Sequence, residues 1–398
     1  MKYLAWALML ILAMPALAGR KISVSQLEDL LRSSQQDKKS DADLSTALKQ
    51  VELTEQLTRS RMNTILRGMP GMLSTEQIYV LEARSAGLAP PPSDLPSTPA
   101  PDAAAQQAIL ARAASYIHGT YAQLPALTAT RTTVRFQDNV EAIAASSGIG
   151  SSATEVTTTS GFSNPASFIH YINSTESQVV IHHGAEQLPA QTAKVQWGAN
   201  KMIALLEPDP SLVTVHKEAQ EGGAFQWLRW ELVNGRPAAV FTFAVPKKKS
   251  RLVLNVCCFP SVNQTGKATF YTATTAATLG AGGGPGGGVT GNFQTNTDWN
   301  SFKTTAPYQG KLFIDPETGI VVRMIVEADL NPSDVVHQVD TRIDYGPVKV
   351  RDQMLIVPVE TIINTEVVPN GESGAGGYKI RRTLFASEYK NYQPAAAK

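Results

Sequence analysis

The sequence predicts an α+β protein with an N-terminal helical region, a proline-rich linker, and then an antiparallel curved sheet, a half-barrel, wrapped on helices. Three observations support this prediction. Apolar residues recur at helical spacing within residues 19–88. Six prolines fall within residues 89–101. From residue 127 onward, apolar residues tend to alternate with polar ones, as they do in strands that bury one face.

Composition excludes several classes of protein. The chain has 398 residues, of which 43% are hydrophobic and 17% are charged, so it is not a fully disordered chain. Lys and Arg total 35 against 34 Asp and Glu. This near balance leaves no electrostatic drive toward a nucleic acid or an anionic membrane surface.

The first 18 residues read as a secretory signal peptide. Lys2 gives a positive start, residues 4–14 are apolar, and Ala16-Leu17-Ala18 fits a cleavage site after Ala18. The alternative is a membrane anchor, but the apolar run is short for a bilayer and is followed by Pro15. We therefore expect a periplasmic or secreted protein with no transmembrane span in its mature chain.

Residues 19–88 predict three helices. The first has apolar residues at Val24, Leu27, Leu30 and Leu31. Ser40 with Asp43 resembles a capping box that opens the second helix. The buried side of this second helix is predicted to consist of Leu44, Leu48, Val51, Leu53 and Leu57. Ser74 with Gln77 opens the third. We interpret the region as a small helical bundle, with a partner-binding coiled coil as the alternative.

The proline-rich linker, residues 89–101, cannot form a helix or a central strand, so it marks the domain boundary. The second domain is predicted to cover residues 102–393. Flexible insertions are expected within it at residues 139–177 and 272–297. The second insertion contains the glycine run 280–288, which we expect to be a loop and which could act as a lid.

The second domain begins with a helix capped by Asp102 and continues as strands. A helix at residues 211–220 interrupts the strands, and the motif DPETG at residues 315–319 predicts a hairpin turn. Short connections between successive strands indicate an antiparallel meander. On the strand near residue 340, we expect Asp340, Arg342 and Asp344 to form an ion-pair ladder on a solvent-exposed face.

Motifs for catalysis, cofactors and metals are missing from the sequence. The glycine run lacks the Gly-Lys-Ser/Thr of a phosphate loop, and no nucleophile elbow or dinucleotide turn is present. The six histidines form no HExxH pattern and no triplet at ligand spacing. We therefore predict no cofactor, no metal site and no catalytic residue.

Cys257 and Cys258 are the two cysteines of the chain. Adjacent strand residues point to opposite faces, and disulfide geometry usually needs a larger Cα separation than that of chain neighbours. Two reduced thiols are one interpretation. A strained vicinal disulfide is the other, because an exported protein meets an oxidising environment.

Several stretches after Asp102 resemble a known superfamily. They are the helix ILARAASYIHGTY followed by LTATRTTVRFQD, the hairpin GKLFIDPETGIVVRM, and the pair IDYGPVKVRDQMLIVPVETI. The pattern resembles the LolA/LolB-like periplasmic lipoprotein-sorting carriers, whose relatives include RseB-like envelope-stress regulators. It is also similar to uncharacterised secreted bacterial proteins that share FIDPETG and IDYGPV. The resemblance implies an open half-barrel over helices whose concave side commonly holds acyl chains, and it brings no catalytic residues.

The leading functional prediction is an exported, non-enzymatic binding or scaffold protein that shelters a lipid or another apolar ligand on the curved sheet. Apolar strand residues that could line such a site are Trp230, Phe241, Phe243, Val322, Met324, Val339 and Ile343. The alternative interpretation is that these residues fill the core. A second hypothesis is an envelope interaction or sensor module that binds a partner protein through the N-terminal helices, and a third is an exported hydrolase.

Overall fold

The computed structural model describes residues 20–137, 169–187, 204–205, 210–223, 225–260, 299–331, 334, 336–367 and 381–395. The predicted signal peptide, the first predicted insertion up to residue 168, and the whole of the second insertion with its glycine run lie outside these residues. Residues 170–177, which were expected within the first insertion, belong to a strand. Within the described residues, no helix is long and apolar enough to cross a membrane.

The N-terminal unit, residues 20–88, contains four helices and a pair of short strands. Its helices are α1 (Val24–Gln36), α2 (Asp41–Lys49), α3 (Arg59–Leu66) and α4 (Met72–Arg84). Strands β1 (Arg20–Ile22) and β2 (Val51–Leu53) pair in parallel. The unit has its own apolar core, to which all four helices and both strands contribute.

The predicted second helix is wrong beyond Lys49, where α2 ends. Val51 and Leu53 are buried as expected, but they lie on β2 and pair with β1. Their spacing of two residues is that of a strand face, whereas a helix face needs three or four. Helix α3 was not predicted, because its sequence RSRMNTIL carries few apolar residues and only Met62 and Ile65 are buried.

The C-terminal half is built on a ten-stranded antiparallel sheet, which confirms the predicted fold class. Its strands are β3 (Leu127–Gln137), β4 (His170–His182), β5 (Ala185–Gln187), β7 (Gln226–Val233), β8 (Arg236–Val245), β11 (Tyr308–Ile314), β12 (Val321–Ala328), β13 (Val336–Val350), β14 (Gln353–Val367) and β15 (Arg381–Pro394). Their order is β5-β4-β3-β15-β14-β13-β12-β11-β8-β7, and the sheet does not close into a barrel.

A small second sheet lies beside one end of the large one. It consists of β6 (Ala204–Leu205), β9 (Val253–Pro260) and β10 (Trp299–Thr305) in the order β10-β9-β6. Apolar residues of β9 and β10 form a cluster with Val336, Val339 and Val367 of the large sheet. The small sheet therefore covers the end of the large sheet where β13 begins and β14 ends.

Two helices, α5 (Ala103–Gly119) and α6 (Leu212–Gly222), pack on one face of the large sheet, which we call the helix face. Residues of β4 and β8 belong to the same apolar cluster as these helices, although seven strand spacings separate the two strands. A flat sheet would place them about 34 Å apart. One helix layer that reaches both strands fits a sheet that curves around the helices, as in the predicted half-barrel.

The N-terminal unit packs on the opposite face of the large sheet. Val80 and Ala83 of α4 contact an apolar cluster that includes Phe136, Ile362 and Leu384. The Nδ2 of Asn364 donates a hydrogen bond of 3.1 Å to the Ala83 carbonyl, and Lys311 Nζ donates one of 2.9 Å to the Gly87 carbonyl. We call this contact between the N-terminal unit and the sheet the seam.

The proline-rich linker is attached to both halves of the molecule. Asp94 accepts hydrogen bonds from the Arg61 guanidinium, with a closest N–O distance of 2.6 Å. At the other end, Trp230 Nε1 donates to the Pro99 carbonyl at 2.8 Å. The linker therefore follows a defined path between the N-terminal unit and the edge strand β7.

Candidate functional site

The structure separates the seven predicted lining residues into three groups. Phe241, Phe243, Met324 and Ile343 belong to the buried cluster of the helix face, and Trp230 packs at its margin. Val339 belongs to the cluster under the small sheet. Val322 packs against the cluster on the opposite face, together with residues such as Phe313 and Ile325.

A β-bulge explains the position of Val322. Ile314 pairs with Val321, but the preceding residue Phe313 pairs with Arg323, so β12 has one extra residue at Val322. A bulge changes which side chains share a face. As a result, Val321 and Met324 face the helices, whereas the alternation in the sequence placed Val322 with Met324. A bulge between Trp227 and Arg229 has the same effect on β7, where Trp227 and Trp230 both contact the helix-face cluster.

The helix face is filled by α5. Ile109, Ala113 and Ile117 point into the cluster and are at most 4% exposed, and Phe241 and Met324 beneath them are fully buried. Tyr121 follows the helix, and its hydroxyl donates to the Gly184 carbonyl at 2.9 Å. An apolar ligand could reach the predicted lining residues of this cluster only if α5 moved away from the sheet.

A cleft of about 150 Å³ lies at the seam. The N-terminal unit contributes Glu52, Leu53, Leu81, Arg84, Ser85 and Leu88, and the other half contributes Ile169, Gln338, Asn364, Thr365, Glu366, Arg382 and Thr383. The buried members are the apolar Leu53, Leu81 and Ile169 together with hydroxyl-bearing residues such as Thr365. The amide and charged residues are more exposed and form the rim, where Arg382 and Glu366 form an ion pair at 2.6 Å.

A buried ion-pair network crosses the seam close to α4. Arg342 on β13 is 3% exposed and contacts Glu82 of α4 at 3.2 Å and Glu360 of β14 at 2.9 Å. Arg59 of α3 contacts the same Glu360 at 2.6 Å. Buried charges are tolerated only when they are paired in this way. These pairs therefore tie the N-terminal unit to the sheet.

Asp344 belongs to the same network. It pairs with Arg323, whose Nη2 lies 3.0 Å from its Oδ2, and it lies 3.5 Å from Arg342. Burial alone would raise the pKa of Asp344, but the charges of Arg323 and Arg342 outweigh it and lower the pKa to about 2. The carboxylate is therefore ionised at neutral pH.

Asp340, two residues before Arg342, behaves in the opposite way. Burial raises the pKa of Asp340 to about 7, and the nearby negative charges of Glu327 and Glu366 add to this shift. Gln338 donates a hydrogen bond to its carboxylate, and Lys311 favours the charged form, but both have smaller effects than burial. Gln338 and Glu366 both line the cleft, so the protonation of Asp340 is linked to the rim of the cleft.

The prediction that this ladder is exposed to solvent is therefore wrong. Asp340, Arg342 and Asp344 share one face of β13 as expected, but α4 covers Arg342 and the seam buries most of the set. The alternating pattern identified the shared face. It could not show that a second unit of the same chain covers it.

The other candidate residues lie elsewhere. Cys257 and Cys258 are on β9, but their side chains are outside the described part of the structure. His337, one of the six histidines, is half-buried on β13. Among the described residues, no group of three or more His, Cys, Asp and Glu side chains is arranged to hold a metal ion.

Comparison with known proteins identifies no family. No protein-family model matches the sequence, and no curated protein matches it. A chain from the solved complex of Pseudomonas aeruginosa MucA and MucB aligns with 74% of this chain and 100% of its own length. The identity is 9% and the TM-score is 0.20. A TM-score of this size does not indicate a shared fold or function, so the predicted superfamily stays a resemblance.

Proposed function

We propose that the chain is an exported, non-enzymatic binding protein that holds a protein or peptide partner at the seam. The cleft would accept one apolar anchor side chain of the partner, and the polar rim would contact the backbone around it. The proposal refines the second hypothesis from the sequence, because the N-terminal helices take part in binding together with the sheet.

The observation that carries the proposal is the size and lining of the cleft. Pockets for drug-sized ligands usually measure about 300–1,000 Å³. The seam cleft, at about 150 Å³, is too small for a whole lipid or cofactor. Small, well-packed pockets are typical of sites that receive a single anchor residue in protein–protein interfaces.

The rim supports a peptide rather than a purely apolar ligand. The side-chain amides of Gln338 and Asn364 carry donors and acceptors suited to a peptide backbone. Arg84 and Glu52 bring both signs of charge to the rim, so neither an anionic nor a cationic ligand is favoured. Leu88, which is 39% exposed, extends the apolar surface from the cleft toward solvent.

The test uses peptides selected from a random displayed library against the purified chain. The affinity of the selected peptides is then measured for Leu88→Asp, which places a charge at the apolar rim. We expect affinity to fall at least tenfold. Met354→Asp is the matched control, because Met354 is 63% exposed on the same strand as Asn364, ten residues away, or about 33 Å along β14. Its affinity should be unchanged.

Two outcomes would contradict the proposal. One is a set of peptides that binds Leu88→Asp as tightly as it binds the wild-type chain. The other is turnover of broad ester, glycoside or peptide substrates by the purified chain, which would favour the hydrolase hypothesis instead.

A second candidate function is the sheltering of an apolar ligand on the helix face. Its support is that Phe241, Phe243, Met324 and Ile343 do lie in one cluster, against α5. Such binding requires α5 to be displaced, so a fluorescent fatty acid should bind slowly and should increase hydrogen exchange in residues 103–119. Extraction of the purified chain without co-purified lipid, together with no uptake of the fatty acid, would exclude it.

A further inference from the structure

Two histidines from different helices meet on the helix face, far apart in the sequence. His118 lies in the last turn of α5, and His216 lies on α6. The Nε2 of His118 and the Nδ1 of His216 are 3.0 Å apart. Their rings are 5.0 Å apart between centroids and are inclined by 63°.

The two side chains differ in freedom of movement. His216 is 2% exposed and stacks on Phe225, with a centroid distance of 5.3 Å and an interplanar angle of 23°. His118 is exposed, so it can adjust its orientation and leaves the pair open to solvent. The pair therefore combines one fixed imidazole with one adjustable imidazole.

We propose that His118 and His216 bind one divalent transition-metal ion of the kind that prefers imidazole, Zn²⁺ or Cu²⁺, between α5 and α6. Zinc–nitrogen bonds measure about 2.0–2.1 Å, so two ligands at a tetrahedral angle place their nitrogens about 3.3 Å apart. Two ligands at a right angle, as around Cu²⁺, place them about 2.9 Å apart. The observed separation of 3.0 Å lies between these two values.

Metal binding would replace the hydrogen bond between the rings. One of the two facing nitrogens now carries a proton, and that proton would move to the outer nitrogen of its own ring. Both imidazoles would then stay neutral, and both would present a lone pair to the metal. Water would complete the coordination.

The experiment titrates ZnSO₄ and CuSO₄ separately into the untagged chain by calorimetry at pH 7. We expect one ion bound per chain. Cu²⁺ bound to the wild-type chain should show nitrogen hyperfine coupling in its electron paramagnetic resonance spectrum. His118→Ala should weaken binding at least tenfold and reduce that coupling, and it should fold normally because His118 is exposed.

The matched control is His182→Ala. His182 is an exposed histidine on β4, and its ring lies 4.0 Å from that of its neighbour His183. The control should bind both metals as the wild-type chain does. The proposal is overturned if the wild-type chain binds neither ion, if His118→Ala retains the wild-type affinity, or if His182→Ala causes the larger loss. This site is separate from the seam, so its test is independent of the proposed function.

Discussion

Asp340 and Arg342 lie two residues apart on one face of β13, and the seam has opposite effects on their side chains. Arg342 keeps its charge because Glu82, Asp344 and Glu360 surround it. Burial raises the pKa of Asp340 to about 7, and its nearby charges, mainly the like charges of Glu327 and Glu366, do not offset this rise. The difference arises from the local charge around each residue rather than from the depth of burial alone.

Asp340→Asn should show a pH-dependent gain in stability. The folded-state pKa of Asp340 lies above the ordinary value of 3.8, so its favourable contribution is complete below about pH 4 and is lost as the pH rises through 7. An asparagine side chain does not titrate, so the variant does not lose stability in this way as the pH rises. We expect the free energy of unfolding of the variant to exceed that of the wild type by ~1–3 kcal/mol at pH 8, with the difference shrinking toward pH 4. Denaturant titrations at both pH values measure this difference in the free energy of unfolding.

The same difference at both pH values would contradict the prediction. Asp352→Asn, on the exposed β13–β14 turn, controls for the loss of a charge.

At the scale of elements, three of the four N-terminal helices are capped by side chains, each in a different way. Ser23 and Gln26 form a complete capping box at the start of α1. Ser40 caps α2 through its hydroxyl, which accepts from the Asp43 N–H at 3.2 Å. Helix α4 begins after Gly71, which has no side chain, and Asp41 of α2 accepts from the N–H groups of Leu73 and Ser74 instead. The cap of α4 is therefore a tertiary contact that also joins two helices.

Ser40→Ala should destabilise the protein by about 1 kcal/mol, because it removes the acceptor for an N–H group in the first turn of α2. Ser211→Ala is the matched control: Ser211 is also an N-cap residue, for α6, but its side chain makes no capping bond. Its effect should stay below about 0.3 kcal/mol. The free energies of unfolding from denaturant titration decide the matter, and equal effects of the two substitutions would argue against the role of the Ser40 hydroxyl.

At the scale of the whole molecule, one sheet has structure on both faces. Helices α5 and α6 cover the helix face, and the N-terminal unit covers the opposite face through an apolar cluster and the Arg342 network. The linker runs between the two halves and is itself hydrogen-bonded to each. The two predicted domains are therefore coupled, because removing either would expose buried apolar and charged groups of the other.

We expect the two halves to unfold in one transition. Residues 20–101 contain no tryptophan, whereas Trp227 and Trp230 lie on β7, so tryptophan fluorescence reports on the sheet. Circular dichroism at 222 nm reports mainly on the helices. The two signals should coincide in the wild-type chain.

Arg342→Leu leaves Glu82 and Asp344 buried without this partner, which should cost about 3–5 kcal/mol and separate the two transitions. Arg32→Leu, which disrupts an exposed ion pair with Asp29, should leave them coincident. Separate transitions in the wild-type chain would contradict the coupling.

Local patterns predicted much of the architecture but less of the site. The DPETG motif correctly predicted the turn before β12. Ile343 was named as a candidate lining residue with the core as the alternative, and it lies in the core. Val322 was placed with Met324 because a regular strand was assumed, and a bulge depends on the pairing with β11, which a single strand does not reveal. The capping box of Ser23 and Gln26 was visible in the sequence as S-x-x-Q, a signal that sequence reasoning missed.

The sequence by itself determined the fold class, because periodicities of about 3.6 and 2 are properties of neighbouring residues and follow from local geometry. It also predicted a linker at residues 89–101, since prolines restrict the backbone wherever they occur. Only the tertiary structure decided which faces are covered, where the cleft forms, and that His118 meets His216. Those outcomes depend on contacts between residues far apart in the chain, such as Glu82 with Arg342, and no local pattern records them.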